Sequence, residues 1–174
     1  MSYVRRSRHD RGAAAVEFAL VVPILLMIVF GITDFGLWFS DSLNLRQGVR
    51  EGARQGVVDD LTPATGCSGT AELARIACNT RDRVAAFGGP MYARVALLNP
   101  DGTSSTAWKK GQQLLVCSMV KENGLTGITP LPKDGIVRSS VRMRIETGTH
   151  TYTAPKNVYS DTAPTGASWS WCVP

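Results

Sequence analysis

Arg11-Gly12-Ala13-Ala14-Ala15-Val16-Glu17-Phe18 runs directly into Ala19-Leu20-Val21-Val22-Pro23-Ile24-Leu25-Leu26-Met27-Ile28-Val29-Phe30. A basic leader ends at a glycine, small residues follow, and one carboxylate stands at the head of an apolar helix. At about 1.5 Å per residue, Ala13 to Phe39 reaches about 40 Å, enough to cross a hydrocarbon core of about 30 Å. A carboxylate inside such a span costs about 2.5–3.5 kcal/mol at its centre, so Glu17 is a functional candidate; the plain alternative is a side chain that snorkels at the membrane edge.

The chain has 174 residues and a formal net charge of +5, with a pI of about 9.3. Part of the basic excess is Arg5, Arg6, Arg8 and Arg11, immediately before the apolar run. That placement fits the positive-inside rule and argues against a nucleic-acid partner. It predicts a cytoplasmic leader, membrane lipid around the helix and export of everything beyond it. A secretory signal peptide competes, but Gly31-Ile32-Thr33-Asp34-Phe35-Gly36 is a poor cleavage site. Asp34 interrupts the apolar run and puts the interface near Asp34–Phe39, with Trp38 and Phe39 close to the headgroups. Pro23 removes one helix hydrogen bond; it either kinks the helix or is simply tolerated.

Asp41 to Val58 continues the helix with four rows of side chains. Leu45, Val49, Ala53 and Val57 form an apolar row; Gly48, Gly52 and Gly56 lie beside it. Arg46, Arg50 and Arg54 form a third, and Gln47, Glu51 and Gln55 a fourth, giving an amphipathic helix. Each interior glycine costs about 0.8–1.0 kcal/mol relative to alanine, so the row implies close approach of another backbone. That backbone belongs either to another subunit or to this chain's own sheet, with the sheet favoured.

The Gly12 junction resembles the cleavage site of type IV prepilins, which a membrane peptidase cuts after the glycine. The resemblance makes Gly12 the last leader residue, Ala13 the first mature residue and Glu17 the assembly glutamate. Together with Val49-Arg50-Glu51-Gly52-Ala53-Arg54, the first third of the chain resembles the TadE/TadG-like family of minor pseudopilins of the Tad (Flp) pilus. The resemblance implies prepilin peptidase, other pilin or pseudopilin subunits and Tad assembly-platform proteins as partners, and a pilin-like α+β fold. The implied organisation is a leader at 1–12, a transmembrane helix at 13–39, its amphipathic continuation at 40–58 and an extracytoplasmic disulfide-bonded domain at 59–174. The rival is a single-pass membrane protein with an unprocessed anchor, acting as an envelope scaffold.

Asp59–Gly69 is a loop by composition. A helix over Thr70–Phe87 follows, with Leu73, Ile76, Ala77, Val84 and Phe87 on its period and Gly88-Gly89-Pro90 as its stop. Strands are predicted at Tyr92–Leu98, Gln113–Val120 and Ile136–Glu146, with a turn at Asn99-Pro100-Asp101-Gly102 and a loop from Gly124 to Gly135. In the last strand Val137, Ser139, Val141, Met143 and Ile145 alternate with Arg138, Ser140, Arg142, Arg144 and Glu146, predicting one wet face. The arginines suit a solvated face, or an anionic polymer or subunit. The tail from Thr153 is predicted to be irregular.

Cys67, Cys78, Cys117 and Cys172 all follow the apolar helix. Four exported cysteines imply two disulfides, with three possible connectivities. Cys67–Cys78, closing a local loop, and Cys117–Cys172, pinning the tail to the middle strand, are favoured. A zinc site would want closer cysteine pairs. No cofactor is implied: His9 and His150 are the only histidines, and no phosphate-binding glycine loop or H-E-x-x-H is present. Asp59-Asp60 lacks the run of oxygen ligands calcium requires. Catalysis is not expected.

Overall fold

The computed structural model describes residues 8–58, 67, 71–84, 89–127, 130–147, 149–150 and 157–172, with side chains from Gly12 onward except at 149–150. The leader side chains, Asp59-Asp60, Thr70, Phe87, Gly88 and the His150 imidazole lie outside the described residues.

The fold is α+β. Helix α1 is continuous over Arg8–Val57 and includes Pro23. At about 1.5 Å per residue it extends about 75 Å. Its two halves differ in environment. From Gly12 to Thr33 no residue is buried, and the apolar side chains are exposed all round the helix. A helix apolar on every side is suited to a fully apolar environment, lipid or the interior of an assembly, and not to one packed face. From Asp34 onward one side is buried, through Asp41, Leu45, Val49, Ala53 and Val57.

Helix α2 spans Glu72–Asp82, with Leu73, Ile76, Ala77 and Thr80 on its buried side. It is shorter than its periodicity predicts: Arg83 caps it, its backbone N–H donating to Asn79 O, ahead of Gly89 and Pro90. Four strands, β1 (Met91–Leu98), β3 (Gln113–Lys121), β4 (Ile136–Arg144) and β6 (Val158–Ser160), form an antiparallel sheet in the order β4-β3-β1-β6. The short strands β2 (Trp108–Lys109) and β5 (Thr149–His150) pair separately. His150 therefore lies in a strand, not beyond the last one.

One sheet face meets the helices. Ala93, Val95 and Leu97 of β1, with Leu114, Val116 and Val120 of β3 and Val137 of β4, join Leu45, Val49, Ala53, Leu73 and Ile76 in the main core. Burial of each such aliphatic side chain contributes about 1.5–3 kcal/mol. The other face buries Ala96, Leu98, Leu115 and Cys117 under Cys172, Trp169 and Trp171. Only β4 keeps the predicted alternation of buried and exposed residues; β1 and β3 are covered on both sides.

Over the described residues 157–172 the tail is irregular, as predicted, apart from one short strand. Strand β6 uses the free edge of β1, with Arg94 opposite Ser160 and Ala96 opposite Val158. Asp161 then ties four elements together. Its carboxylate accepts from Arg81 of α2 at 3.1 Å, from the Ala93 backbone at 2.8 Å and from the Tyr159 hydroxyl at 3.0 Å. Its carbonyl accepts from Trp169 Nε1 at 2.8 Å. Basic side chains of the outer face complete the attachment. Arg138 stacks over Trp171 at 5.8 Å, and Lys121 donates to Thr165 O at 3.0 Å. The arginine row is thus partly occupied by the chain's own tail, while Arg142 and Arg144 stay exposed.

Both disulfides take the favoured pairing. Cys67 joins Cys78, with Cα atoms 5.7 Å apart, and Cys117 joins Cys172, with Cα atoms 6.1 Å apart. Cys117 lies mid-strand on the outer face, so its sulfur meets the tail there instead of entering the helix-facing core.

Candidate assembly segment and membrane-proximal junction

Gly12, Ala13 and Glu17 lie on the exposed first turns of α1. A Cβ built on Gly12 would meet nothing within 4 Å, so no packing among the described residues explains that glycine. Ala13 and Glu17 are four residues apart and share one helix face. Neither is buried. This segment is presented outward, with one carboxylate among apolar neighbours.

The glycine row behaves differently. Gly48 presses against the Val84 side chain, Gly52 against Thr80, and Gly56 against Leu114 and Ile76. A Cβ at Gly52 would lie 2.9 Å from Thr80 Cβ and 3.2 Å from Thr80 Cα. The close approach is therefore within the chain, but it is made mainly to α2 and to Val84, two residues beyond its end; only Gly56 also reaches the sheet. The expected sheet contact is thus met at Gly56 and corrected at Gly48 and Gly52. The cause is the order of layers: the aliphatic row of α1 faces the sheet, and the adjacent glycine row falls opposite α2.

The polar rows mostly face solvent. Arg46, Arg50 and Arg54 are exposed, and Arg54 pairs with Glu51 at 2.8 Å across one helical turn. Arg54 holds the Glu51 carboxyl below its ordinary pKa, first through that hydrogen bond. An exposed pair of this kind adds little stability. Gln55 is the exception: it is buried beside Arg83, whose Nη2 donates to the amide oxygen at 2.6 Å once the amide is turned to meet it.

Where the exposed apolar segment ends, Asp34 is 1% exposed. It accepts from the backbone N–H of Leu125 at 2.9 Å and of Thr126 at 3.3 Å, and from the Thr126 hydroxyl at 2.5 Å. Gly124, at φ +69°, makes the turn that aims these donors at the carboxylate. Such charge-assisted bonds are the stronger kind, and they make burial of the carboxylate tolerable. Asp34 is visible in the sequence as an interruption of the apolar run, but its partners lie some ninety residues away and carry no motif. Trp38 packs partly buried against the core instead of standing free at headgroup level, while Phe39 is exposed.

Strand directions make this junction one end of the domain. β4 starts beside Glu122, whose N–H donates to Gly135 O at 2.8 Å, and finishes near the carboxyl end of α1, where Glu146 N donates to Val57 O at 3.4 Å. The turn at Asn99–Gly102 is at that far end, because Leu98 pairs with Gln113 while Met91 pairs with Val120. Among the described residues, no group of three or more His, Cys, Asp or Glu is placed to hold a metal ion.

Helix α1 is long and apolar enough to cross a membrane, its most apolar window having a mean hydropathy of 2.6. No curated protein and no solved structure matches the chain. Residues 12–54, which hold both the exposed apolar half of α1 and most of its packed half, match the family model of TadE-like protein, the family that the N-terminal residues resemble.

Proposed function

We propose that this protein is a minor pseudopilin of a Tad-type pilus, cut by prepilin peptidase after Gly12 and required for pilus assembly or secretion. The observation that carries the reading is the match of residues 12–54 to the TadE-like family, falling on a helix whose first half is left exposed by the described residues. Before assembly the chain is a bitopic membrane protein, with the basic leader in the cytoplasm and the disulfide-bonded domain outside, possession of disulfides fitting an oxidising compartment.

Cutting after Gly12 creates an ammonium on Ala13, whose unperturbed pKa is about 7.7–8.0. Glu17 then lies in the first turns of the shortened helix, where the macrodipole favours a carboxylate. A neighbouring subunit's Glu17 neutralises the Ala13 ammonium, and removal of either partner strands the other in an apolar environment. Other pilin-type subunits and the assembly platform are the partners this chemistry requires, and lipid is the surroundings before extraction.

Coexpression with prepilin peptidase tests the reading. Gly12→Val leaves the full-length precursor in membranes, while the wild-type chain is shortened. If both chains keep the same length, the processing proposal fails.

A further inference from the structure

Ala13 to Thr33 extends about 30 Å as helix, the thickness of a bilayer's hydrocarbon core. The next residue, Asp34, is the first to be buried by the domain. The domain therefore begins at the level where the hydrocarbon ends, with no linker between the two. At that level the Asp34 carboxylate holds the backbone of Leu125 and Thr126, and Leu125 is 73% exposed, the most of any large apolar residue among those described. Asp34, Leu37 and Trp38 of α1 face Gly124, Leu125 and Leu131 across a cleft of about 260 Å³.

An exposed leucine on a polar loop costs nothing large by itself. The turn that carries this one is fixed by three hydrogen bonds to a buried carboxylate, and that carboxylate stands where the exposed apolar half of α1 ends, the half that the span reading places in lipid. Those bonds hold the backbone of the turn in place.

We propose that Leu125 enters the lipid interface beside the transmembrane helix, so that the domain stands on the membrane at two points, the helix and the 124–127 turn. The occupant of this surface is the headgroup–acyl boundary of the bilayer. A second point of contact removes the domain's freedom to swing about the helix and sets its angle to the membrane before assembly. The inference rests on the reading of α1 as a span.

Spin labels read depth directly. The chain has no free cysteine among its own four, so one introduced cysteine is a unique label site. The full-length protein is reconstituted into vesicles of phosphatidylcholine and phosphatidylglycerol with a label at Leu125→Cys, at Ile24→Cys in the span, or at Thr106→Cys at the far end of the domain. Collisions with oxygen, which concentrates in lipid, are compared with collisions with a water-soluble nickel chelate. The proposal predicts oxygen-dominated collisions at positions 24 and 125 and nickel-dominated ones at 106. Oxygen dominance at 24 with nickel dominance at 125 overturns the proposal and leaves the span intact. Nickel dominance at 24 removes the span and the proposal with it.

Discussion

Thr80 occupies the space that a side chain at Gly52 would need, its Cβ lying 2.9 Å from where a Gly52 Cβ would be built. Two helices meet there almost backbone to backbone, with the Thr80 hydroxyl turned to its own helix at Ile76 O, 2.6 Å away. Gly52→Ala improves helix propensity by about 1 kcal/mol, yet the contact to backbone forces the helices apart at a cost of about 1–3 kcal/mol. The predicted outcome is a net loss of stability by chemical denaturation of the α+β domain in detergent-solubilised protein. Adding Thr80→Gly relieves the overlap, so the double variant loses less than the two single effects added together. Additive losses would mean that this contact does not set the cost.

The disulfides differ in the length of chain they close. Cys117–Cys172 spans 55 residues and Cys67–Cys78 spans 11. Chain-entropy arguments give about 4 kcal/mol for the longer loop and about 3 kcal/mol for the shorter. Replacing Cys117 and Cys172 by alanine also frees the indoles of Trp169 and Trp171 from the sheet. Denaturant midpoints should therefore fall further for that pair than for Cys67 and Cys78. The order is the test, and a reversed order contradicts it.

Tyr159 makes the tail's attachment sensitive to alkali. Burial first, and then the Asp161 carboxylate its hydroxyl touches, raise the phenol above its usual pKa of about 10. A phenol raised on folding contributes stability that is fully present below the unfolded value and is lost as pH climbs through the folded one. Between about pH 9 and about pH 11 the wild-type melting temperature should fall further than that of Tyr159→Phe, which has no phenol to titrate. Parallel curves would show that this phenol contributes no pH dependence. At neutral pH the variant loses one hydrogen bond, about 0.5–1.5 kcal/mol.

The sequence shows most clearly what repeats locally. The apolar run, the four rows of α1 and the alternation in β4 each rest on spacing within one element, and each stands in the structure. The glycine row announces a close approach without saying to what; its partner follows from how α2 and the sheet divide the faces of α1, which is tertiary information. Strand β6 is three residues long, too short for any period, and it exists because the edge of β1 offers backbone groups to pair with. Asp34 and Asp161 are legible as single carboxylates only. Their donors, Thr126 in one case and Arg81 in the other, are brought to them by the fold across 92 and 80 residues.

Glu17→Leu makes the exposed segment more apolar, so insertion into the membrane should be retained, and cleavage with it. Assembly should be impaired, because the Ala13 ammonium of a neighbouring subunit loses its counter-charge. Pull-down of other pilus subunits with the variant reads this directly. Recovery equal to wild type would take Glu17 out of assembly.

The proposed function stands on maturation at the Gly12–Ala13 bond. Amino-terminal sequencing of the membrane-extracted wild-type protein, made in cells that carry prepilin peptidase, reads that bond. The expected sequence starts Ala13-Ala14-Ala15-Val16-Glu17. A start at Met1 or Ser2, or at any residue beyond Phe30, contradicts it.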